Sequence, residues 1–576
     1  MLPRPSSNIR RSLLCKLSRR GSPHVSGRLI SGSSGKMPEY DDCDVVILGG
    51  GPVGLALASA LSSNDTLRNS LKVTLLESSD LNRIRDWDPP PDAFSNRVVS
   101  LTNASLDFLI EMGAWSHVDV ERTCPMVDMQ VWDGVSDVRI DFNAATLGIS
   151  ARDGSNQMAR IIETLNLQRG LLRHLKKYTN VTLLDNTKVE NIFGDDILSG
   201  GWPVVQPSVG RALRARLVVG ADGIKSVVRS YSKIDSYGWD YPARAIVATL
   251  QHPPRTVLFN TTAYQRFLPT GPIAFLPLSP TASSLVWSTS QALAAVLAKA
   301  DPAILASMIN AAFRLPELSV RYLHERLLEA PSISLDDLRA EIAFREKAHA
   351  IPPHSALASV DVQPNDTIVG IPDQGAEMLP PLVASIQPGT VASFPLRFRH
   401  AESYVGSRTV LIGDAAHVMH PLAGQGLNLG LGDAEALARC VQSVIMYGGD
   451  IGSRTALMPY SRERYFENHK IMSAVDKLHK LYATTAPPVV WARSTGVEVL
   501  NELDALKAGI ISAAGGQSRA VGGESFPWST VANGLEALVS GARVAGAVGS
   551  GLKSVAGNIL QQLVRVTSDP GNNKRE

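Results

Sequence analysis

From Gly413 to Asp433 the chain reads G-D-A-A-H-V-M-H-P-L-A-G-Q-G-L-N-L-G-L-G-D, with apolar Val410 to Ile412 just before it. The pattern predicts a strand, an aspartate at its end, and a Gly-rich turn that opens a helix. Such a helix start offers unpaired backbone N–H groups and a positive dipole end, which suit an anionic or electron-rich group. The carboxylate of Asp414 would repel phosphate but can accept hydrogen bonds from a sugar hydroxyl. The stretch therefore asks for a ligand that carries both features.

A second Gly-rich turn stands near the other end of the chain. Asp44 to Leu48 is a β-branched, apolar run of the kind buried in a parallel sheet, and it leads into Gly49-Gly50-Gly51-Pro52-Val53-Gly54 and the helix pattern L-A-L-A-S-A-L. Gly49, Gly51 and Gly54 fit G-x-G-x-x-G: the first permits a tight turn, the second lets a pyrophosphate approach the backbone, the third lets helix and strand pack closely. Lys72 to Leu76 reads as the next strand and ends in Glu77, 23 residues after Gly54, where a carboxylate would bond the ribose of an adenine dinucleotide. NAD and FAD both satisfy this unit. A third turn follows the buried run Arg216 to Val219: G-A-D-G-I-K-S-V-V-R, again with an aspartate, Asp222, at a strand end. Read alone, Asp222 is a helix cap.

The elements between these turns must bring them together. Residues 97–101 read as a strand followed by a helix through Trp115, residues 125–142 as alternating strands, 161–178 as an amphipathic helix carrying Gln168 and Arg169, and Val181 to Leu184 as a strand. Short apolar runs separated by turns over 245–300 predict a second sheet. Residues 331–390, with P-P-H-S, Q-P-N-D, I-P-D-Q and L-P-P-L, read as an inserted loop. Residues 517–576 carry apolar positions at helical spacing, interrupted by glycines that each cost a helix about 1 kcal/mol relative to alanine. His417 and His420 lie three apart with no Glu or third ligand, so no metal site is expected; His417 reads as capping its turn.

The three turns, in this order, resemble those of the p-hydroxybenzoate hydroxylase-like FAD monooxygenases over roughly residues 42–515. That resemblance implies an α/β fold: a Rossmann-like FAD-binding domain with a parallel sheet, an interleaved antiparallel-sheet substrate domain, and C-terminal helices. It implies that Gly49, Gly51, Pro52 and Gly54 hold the ADP part of FAD, that Glu77 takes the adenine ribose, and that Arg97 and Gln168 lie along the cofactor. Asp222 and Gly223 would sit by the pyrophosphate, and Gly413 and Asp414 by the ribityl hydroxyls. The turn Pro421, Gly424, Gln425, Gly426 would face the isoalloxazine, with amides through Leu427 and Asn428 reaching its pyrimidine edge. The reaction implied is reduction of FAD, capture of O2 as a flavin C4a-hydroperoxide, and transfer of one oxygen to a phenol ring. No side chain stands out as nucleophile or general base.

The strings Q-R-F-L-P-T-G-P-I-A-F-L-P-L at 265–278, S-F-P-L at 393–396 and W-A-R-S-T-G-V-E-V-L-N-E-L-D-A-L-K at 491–507 are similar to one branch, the ubiquinone-biosynthesis ring hydroxylases. The branch implies a polyprenylated phenolic substrate, peripheral association with the matrix face of the mitochondrial inner membrane, and work within an assembly of ubiquinone-pathway proteins. It implies electrons from ferredoxin and its reductase, with direct NADPH use left open. Two competing readings are a flavin monooxygenase of a soluble aromatic metabolite and a non-catalytic prenyl-lipid escort protein.

Composition agrees with this class. The 576 residues exceed a single core. Residues 1–38 hold eight Lys and Arg and no Asp or Glu, a composition similar to a mitochondrial transit peptide. Without them 48 basic residues face 54 acidic ones, a mildly acidic body that argues against nucleic-acid binding. The four cysteines are scattered, with no C-x-x-C pair. The expected division is a leader (1–38), FAD-binding segments (39–120, 161–235, 401–445), substrate-domain segments (121–160, 236–400), C-terminal helices (446–515) and the extension 517–576.

Overall fold

The computed structural model describes residues 40–194, 201–255, 259–352, 355–359 and 378–514. The basic leader and the extension 517–576 lie outside these residues.

Runs of β-branched and leucine residues build the first sheet. Val181–Leu184, Val73–Leu76, Tyr40–Leu48 and Ala212–Gly220 lie side by side and parallel, and Thr409–Leu411 joins Ala212–Gly220 in parallel as well. Val45, Val46, Ile47, Val73, Leu75, Val218, Val219, Val410 and Leu411 are all fully buried. Pro203–Pro207 and Val189–Gly194 extend the sheet antiparallel. The helix Pro52–Ser63, with proline in its first turn, packs its small residues against this sheet and against the helix Gly426–Met446.

A nine-stranded, mostly antiparallel sheet forms the second layer around the 16-residue strand Ser236–Gln251. That strand shows a period of two. Ile246, Ala248 and Leu250 enter a core beneath the helices Gln291–Leu297, Pro302–Arg314, Glu317–Glu329 and Leu335–Ala348, whereas Tyr241, Ala243 and Ala245 face Met419, Leu429 and Met472. One pair in this sheet, Thr262–Leu268 with Asp128–Asp133, is parallel. A three-stranded sheet holds Val98–Thr102, Ala159–Glu163 and Thr123–Met126. The long helix Arg454–Tyr482 and the helices Pro487–Asn501 and Asp504–Ala514 close the described chain. The fold class expected from the sequence stands.

Three local expectations change, and the late stretch gains detail. The inserted segment is not all loop: Leu335–Ala348 is a helix, capped by Ser334 and buried through Leu338 and Ile342. Acids in its first turn and Arg345 and Lys347 in its last suit the helix dipole, a signal masked by the prolines around it. Residues 360–377 lie outside the described residues. The helix expected from 161 starts at Thr164, because residues through Glu163 pair as a strand. The helix expected through Trp115 ends at Glu111, where Gly113 takes a left-handed conformation (φ +80°). In the late stretch the helix opens only at Gly426. A 3₁₀ turn at Gly413–Ala415, the short strand His417–Val418 and a second 3₁₀ turn at Pro421–Ala423 come first.

Candidate functional site

The three Gly-rich turns emerge from neighbouring strand ends. Leu48 pairs with Gly220, and Gly220 with Leu411, so the turns after 48, 220 and 411 stand in a row at the carboxyl edge of the parallel strands. That edge is where open α/β sheets bind ligands. Backbone contacts lock the row: the Ala221 N–H donates to Leu48 O (2.8 Å) and the Ile412 N–H to Gly220 O (2.9 Å).

Of the three glycines that fit G-x-G-x-x-G, two are tight and one is open. Gly49 (φ +112°) lies so close to Ala221 that a Cβ would sit 2.2 Å from its carbonyl oxygen, and a Cβ on Gly54 would sit 2.0 Å from Gly49 O. A Cβ on Gly51 would meet nothing within 4 Å, so the face expected to receive a pyrophosphate is clear. Gly50 presses on Glu77, and its N–H donates to Glu77 Oε2 (2.6 Å) while the Ser79 N–H and Oγ donate to Oε1 (2.8 and 2.6 Å). Burial pushes the Glu77 carboxyl up, but the donors from Ser79, Gly50 and Ser78 together hold it below its ordinary value. Gln168 reaches the same turn, donating from Nε2 to Gly50 O (3.3 Å).

Ser226 is the N-cap of the short helix Val227–Tyr231, and Asp222 supplements it: Oδ2 accepts the N–H groups of Val227 (2.6 Å) and Val228 (3.3 Å). Its other oxygen, Oδ1, is buried with no partner among the described residues, and burial raises the carboxyl above its ordinary value. Gly223 beside it is open and left-handed (φ +78°). Arg229, which sequence reasoning left without a role, ties the second turn to the third: its guanidinium donates to Ile224 O (2.7 Å) and Ala415 O (2.8 Å). It was visible as the last residue of G-A-D-G-x-x-S-x-x-R, but nothing in the sequence names its acceptors.

In the third turn Gly413 (φ +57°) packs against Val53 of the first. The Asp414 side chain is exposed, yet protein is dense around it and burial raises its carboxyl above the ordinary value, with His417 pulling the other way. His417 does not cap the turn. Its Nε2 meets Asp433 Oδ2 at 2.6 Å, both side chains fully enclosed. The capping histidine is His420, whose Nδ1 accepts the Leu422 N–H (3.1 Å). Burial holds His420 down to about 3, neutral against the rings of Tyr241 and His479.

After Pro421 the chain turns through left-handed Gly424 (φ +60°) and buried Gln425 into the helix from Gly426. Asn428 clamps this helix start to the strand Val98–Thr102: Oδ1 accepts the Thr102 N–H (3.0 Å) and Nδ2 donates to Ser100 O (2.7 Å). Its side chain is thus spent on structure. The amides of Gly426, Leu427 and Asn428 lie in the first turn, without intrahelical acceptors. Arg97 opens the same strand region but is exposed, and its side chain contacts none of these groups among the described residues.

The donor set fits FAD. Two carboxylates stand by turns in which Gly51 and Gly223 leave open faces, one buried carboxylate oxygen has no partner among the described residues, and a helix N-terminus closes the row. A cavity of about 660 Å³ lined by Lys233, Glu402, Arg408, Asp450 and Arg454 lies before the strand Thr409–Leu411, away from these turns. Its position at the amino edge of the sheet separates it from this site.

Comparison with known proteins agrees. The family described as FAD binding domain matches residues 42–295 and 379–474. The ubiquinone biosynthesis monooxygenase COQ6, mitochondrial, of Saccharomyces cerevisiae is 38% identical over 83% of this chain and 94% of its own length. Its Homo sapiens counterpart is 34% identical over 86% of this chain and 97% of its own. In fold the chain is similar to p-nitrophenol 4-monooxygenase PnpA of Pseudomonas putida DLL-E4 (TM-score 0.55, 19% identity, 83% of this chain and 99% of that one). It is also similar to P. aeruginosa PqsL in complex with 2-aminobenzoylacetate (TM-score 0.53, 21% identity, 80% of this chain and 100% of that one). With FAD as its cofactor, the chain belongs to the FAD-binding-domain family and, within it, to the ubiquinone biosynthesis monooxygenases.

Proposed function

We propose that the protein hydroxylates the aromatic ring of a polyprenylated phenolic precursor of ubiquinone, using O2 and FAD held on the three strand-end turns. The observation that carries this reading is the alignment of those turns on adjacent strands in a chain so similar to the COQ6 monooxygenases. Bound FAD supplies the oxygen chemistry, accepting two electrons and passing one atom of O2 to the ring while the other leaves as water.

The chain's own part is placement. Glu77 holds the adenine ribose from a carboxylate kept ionised by its donors. Asp414 receives ribityl hydroxyls, and Gln168 and Arg97 line the route between. The amides from Gly426 to Asn428, at a helix N-terminus, favour negative charge at the flavin pyrimidine edge. Leu422 belongs to two apolar clusters, one with Phe398, Met419 and Met472 and the other with Phe267 and Tyr482, and such walls keep water from the ring. The prenyl tail asks for the same apolar surroundings.

Electrons come from ferredoxin and its reductase, with direct NADPH use as the competing source. The protein works as a peripheral member of a ubiquinone-pathway assembly on the matrix face of the inner membrane. The mitochondrial names of the relatives and the acid-free, basic residues 1–38 support this location. Among the described residues no helix is long and apolar enough to cross a membrane. Deleting the gene and analysing the lipids tests the function: a prenylated ring lacking one hydroxyl should accumulate, and unchanged ubiquinone would reject it.

A further inference from the structure

Asp414 stands between two clamps. On one side the Gly413 N–H donates to Asp433 Oδ2 (3.0 Å); on the other the Ala415 carbonyl is held by Arg229 (2.8 Å). The Asp414 carboxylate itself has no hydrogen-bond partner among the described residues. Asp433 is fully buried on the helix Gly426–Met446, and four donors converge on it. They divide by oxygen. Oδ2 faces the turn, taking the Gly413 N–H and His417 Nε2 (2.6 Å). Oδ1 faces the long helix, taking Arg464 Nε (2.8 Å) and Asn468 Nδ2 (2.9 Å).

The surroundings are shaped to this arrangement. A Cβ on Gly432 would sit 2.9 Å from the Arg464 guanidinium, and one on Gly430 would sit 2.6 Å from Val53 and 3.3 Å from Gly413 Cα. Two glycines inside a helix, each costing about 1 kcal/mol relative to alanine, let the guanidinium and the turn close on the helix. Gly413 is left-handed, and a glycine has several other backbone conformations open to it. Fixing its N–H on an immobile carboxylate removes those alternatives and so fixes where the next side chain points.

We propose that Asp433 is a positioning residue for the cofactor turn, with its oxygens assigned to separate tasks. Oδ2, with His417, aims Asp414 at the cofactor through the Gly413 amide; Oδ1, with Arg464 and Asn468, fastens the long helix. The inference rests on the reading that Asp414 meets FAD.

The test compares His417→Leu, His417→Gln, Asn468→Leu and Asp414→Ala with the unaltered full chain. Readouts are FAD content on purification, the FAD dissociation constant by fluorescence on dilution, the visible circular dichroism of bound flavin, and the melting temperature with and without added FAD. His417→Leu should weaken FAD binding by at least about tenfold and alter the flavin dichroism, and His417→Gln, which restores a donor, should recover most of both. Asn468→Leu should lower the melting temperature while FAD affinity stays within about twofold. Parallel losses of affinity and melting temperature in both positions would overturn the inference, as would unchanged affinity in His417→Leu. Should His417→Leu not fold, a large affinity loss in Asn468→Leu overturns it alone, and unchanged affinity there supports it. Asp414→Ala separates the two readings: if it binds FAD normally the site assignment itself fails, and if only His417→Leu binds normally the positioning role fails.

Discussion

Gly51 and Gly54 stand three residues apart in one motif and answer to different constraints. A methyl group at Gly54 would overlap the Gly49 carbonyl, a backbone atom that cannot swing aside, whereas one at Gly51 would enter open space. Gly54→Ala should therefore damage the strand–helix junction and lower the melting temperature of the protein without FAD. Gly51→Ala should leave that temperature within a few degrees and remove most of the FAD. Melting curves and the ratio of flavin to protein absorbance check both; equal behaviour of the two variants would contradict the division. The places of these glycines in the turn, and of Glu77 as an acid beside it, were legible because spacing alone specifies a strand, a turn and a helix. The partners of Arg229, His417 and Asp433 were not. They lie 186, 16 and 20 residues away in sequence, and residue types carry no record of such distances. His417 and His420 illustrate this well, since only the fold distinguishes which of two nearby imidazoles caps the turn and which pairs with a carboxylate.

At the scale of elements, one ion pair attaches the C-terminal helices to the substrate sheet. Arg493 donates from Nε and Nη2 to the two oxygens of Asp133 (2.7 and 2.9 Å), and from Nη1 to the carbonyls of Leu481 and Thr484, with both charged side chains almost wholly buried. Next to it Phe267 stacks on Tyr482 with ring centres 4.1 Å apart. Arg493→Ala leaves Asp133 charged and unpaired, and breaking a buried pair in this way costs about 3–5 kcal/mol. Urea unfolding should show that loss, and limited proteolysis should cut first between the long helix and Pro487–Asn501. Undiminished stability would mean that the apolar contacts suffice. The string W-A-R-S-T-G marked a resemblance without explaining itself; the arginine at its centre now has a mechanical task. The helix Leu335–Ala348 was missed for the opposite reason. Its capping serine and its charges are present in the sequence, but they stand among prolines whose pattern is that of a loop.

Across the whole molecule, burial fixes how stability responds to acid. His174, His324 and His400 are buried and held down to about 4, and His420 to about 3, each mainly by desolvation. Below pH about 6.5 the unfolded chain takes up protons at these positions and the folded chain does not, so stability falls with pH through that window. Each histidine contributes up to about 1.4 kcal/mol per pH unit. Asp433, held down to about 2, works in the same sense lower on the scale: its contribution is complete above the ordinary carboxylate value of 3.8 and is lost as pH falls towards about 2. Denaturant midpoints at pH 7.5 and 5.5 should differ clearly, and His324→Leu, remote from the cofactor turns, should flatten the dependence. A pH-independent midpoint would refute this reading of the buried imidazoles.

The row of strand ends also sets an order of events. Its members are drawn from residues near 48, 220 and 411, and the last is a three-residue strand that follows nearly the whole substrate layer. Closing so long a stretch of chain onto a short parallel edge is slow, because loop entropy is lost before the contact is gained. A chain in which both sheets have formed without Thr409–Leu411 would lack the third turn and so offer the cofactor an incomplete seat. A chain ending before residue 409 should therefore purify colourless, because the third turn follows that strand.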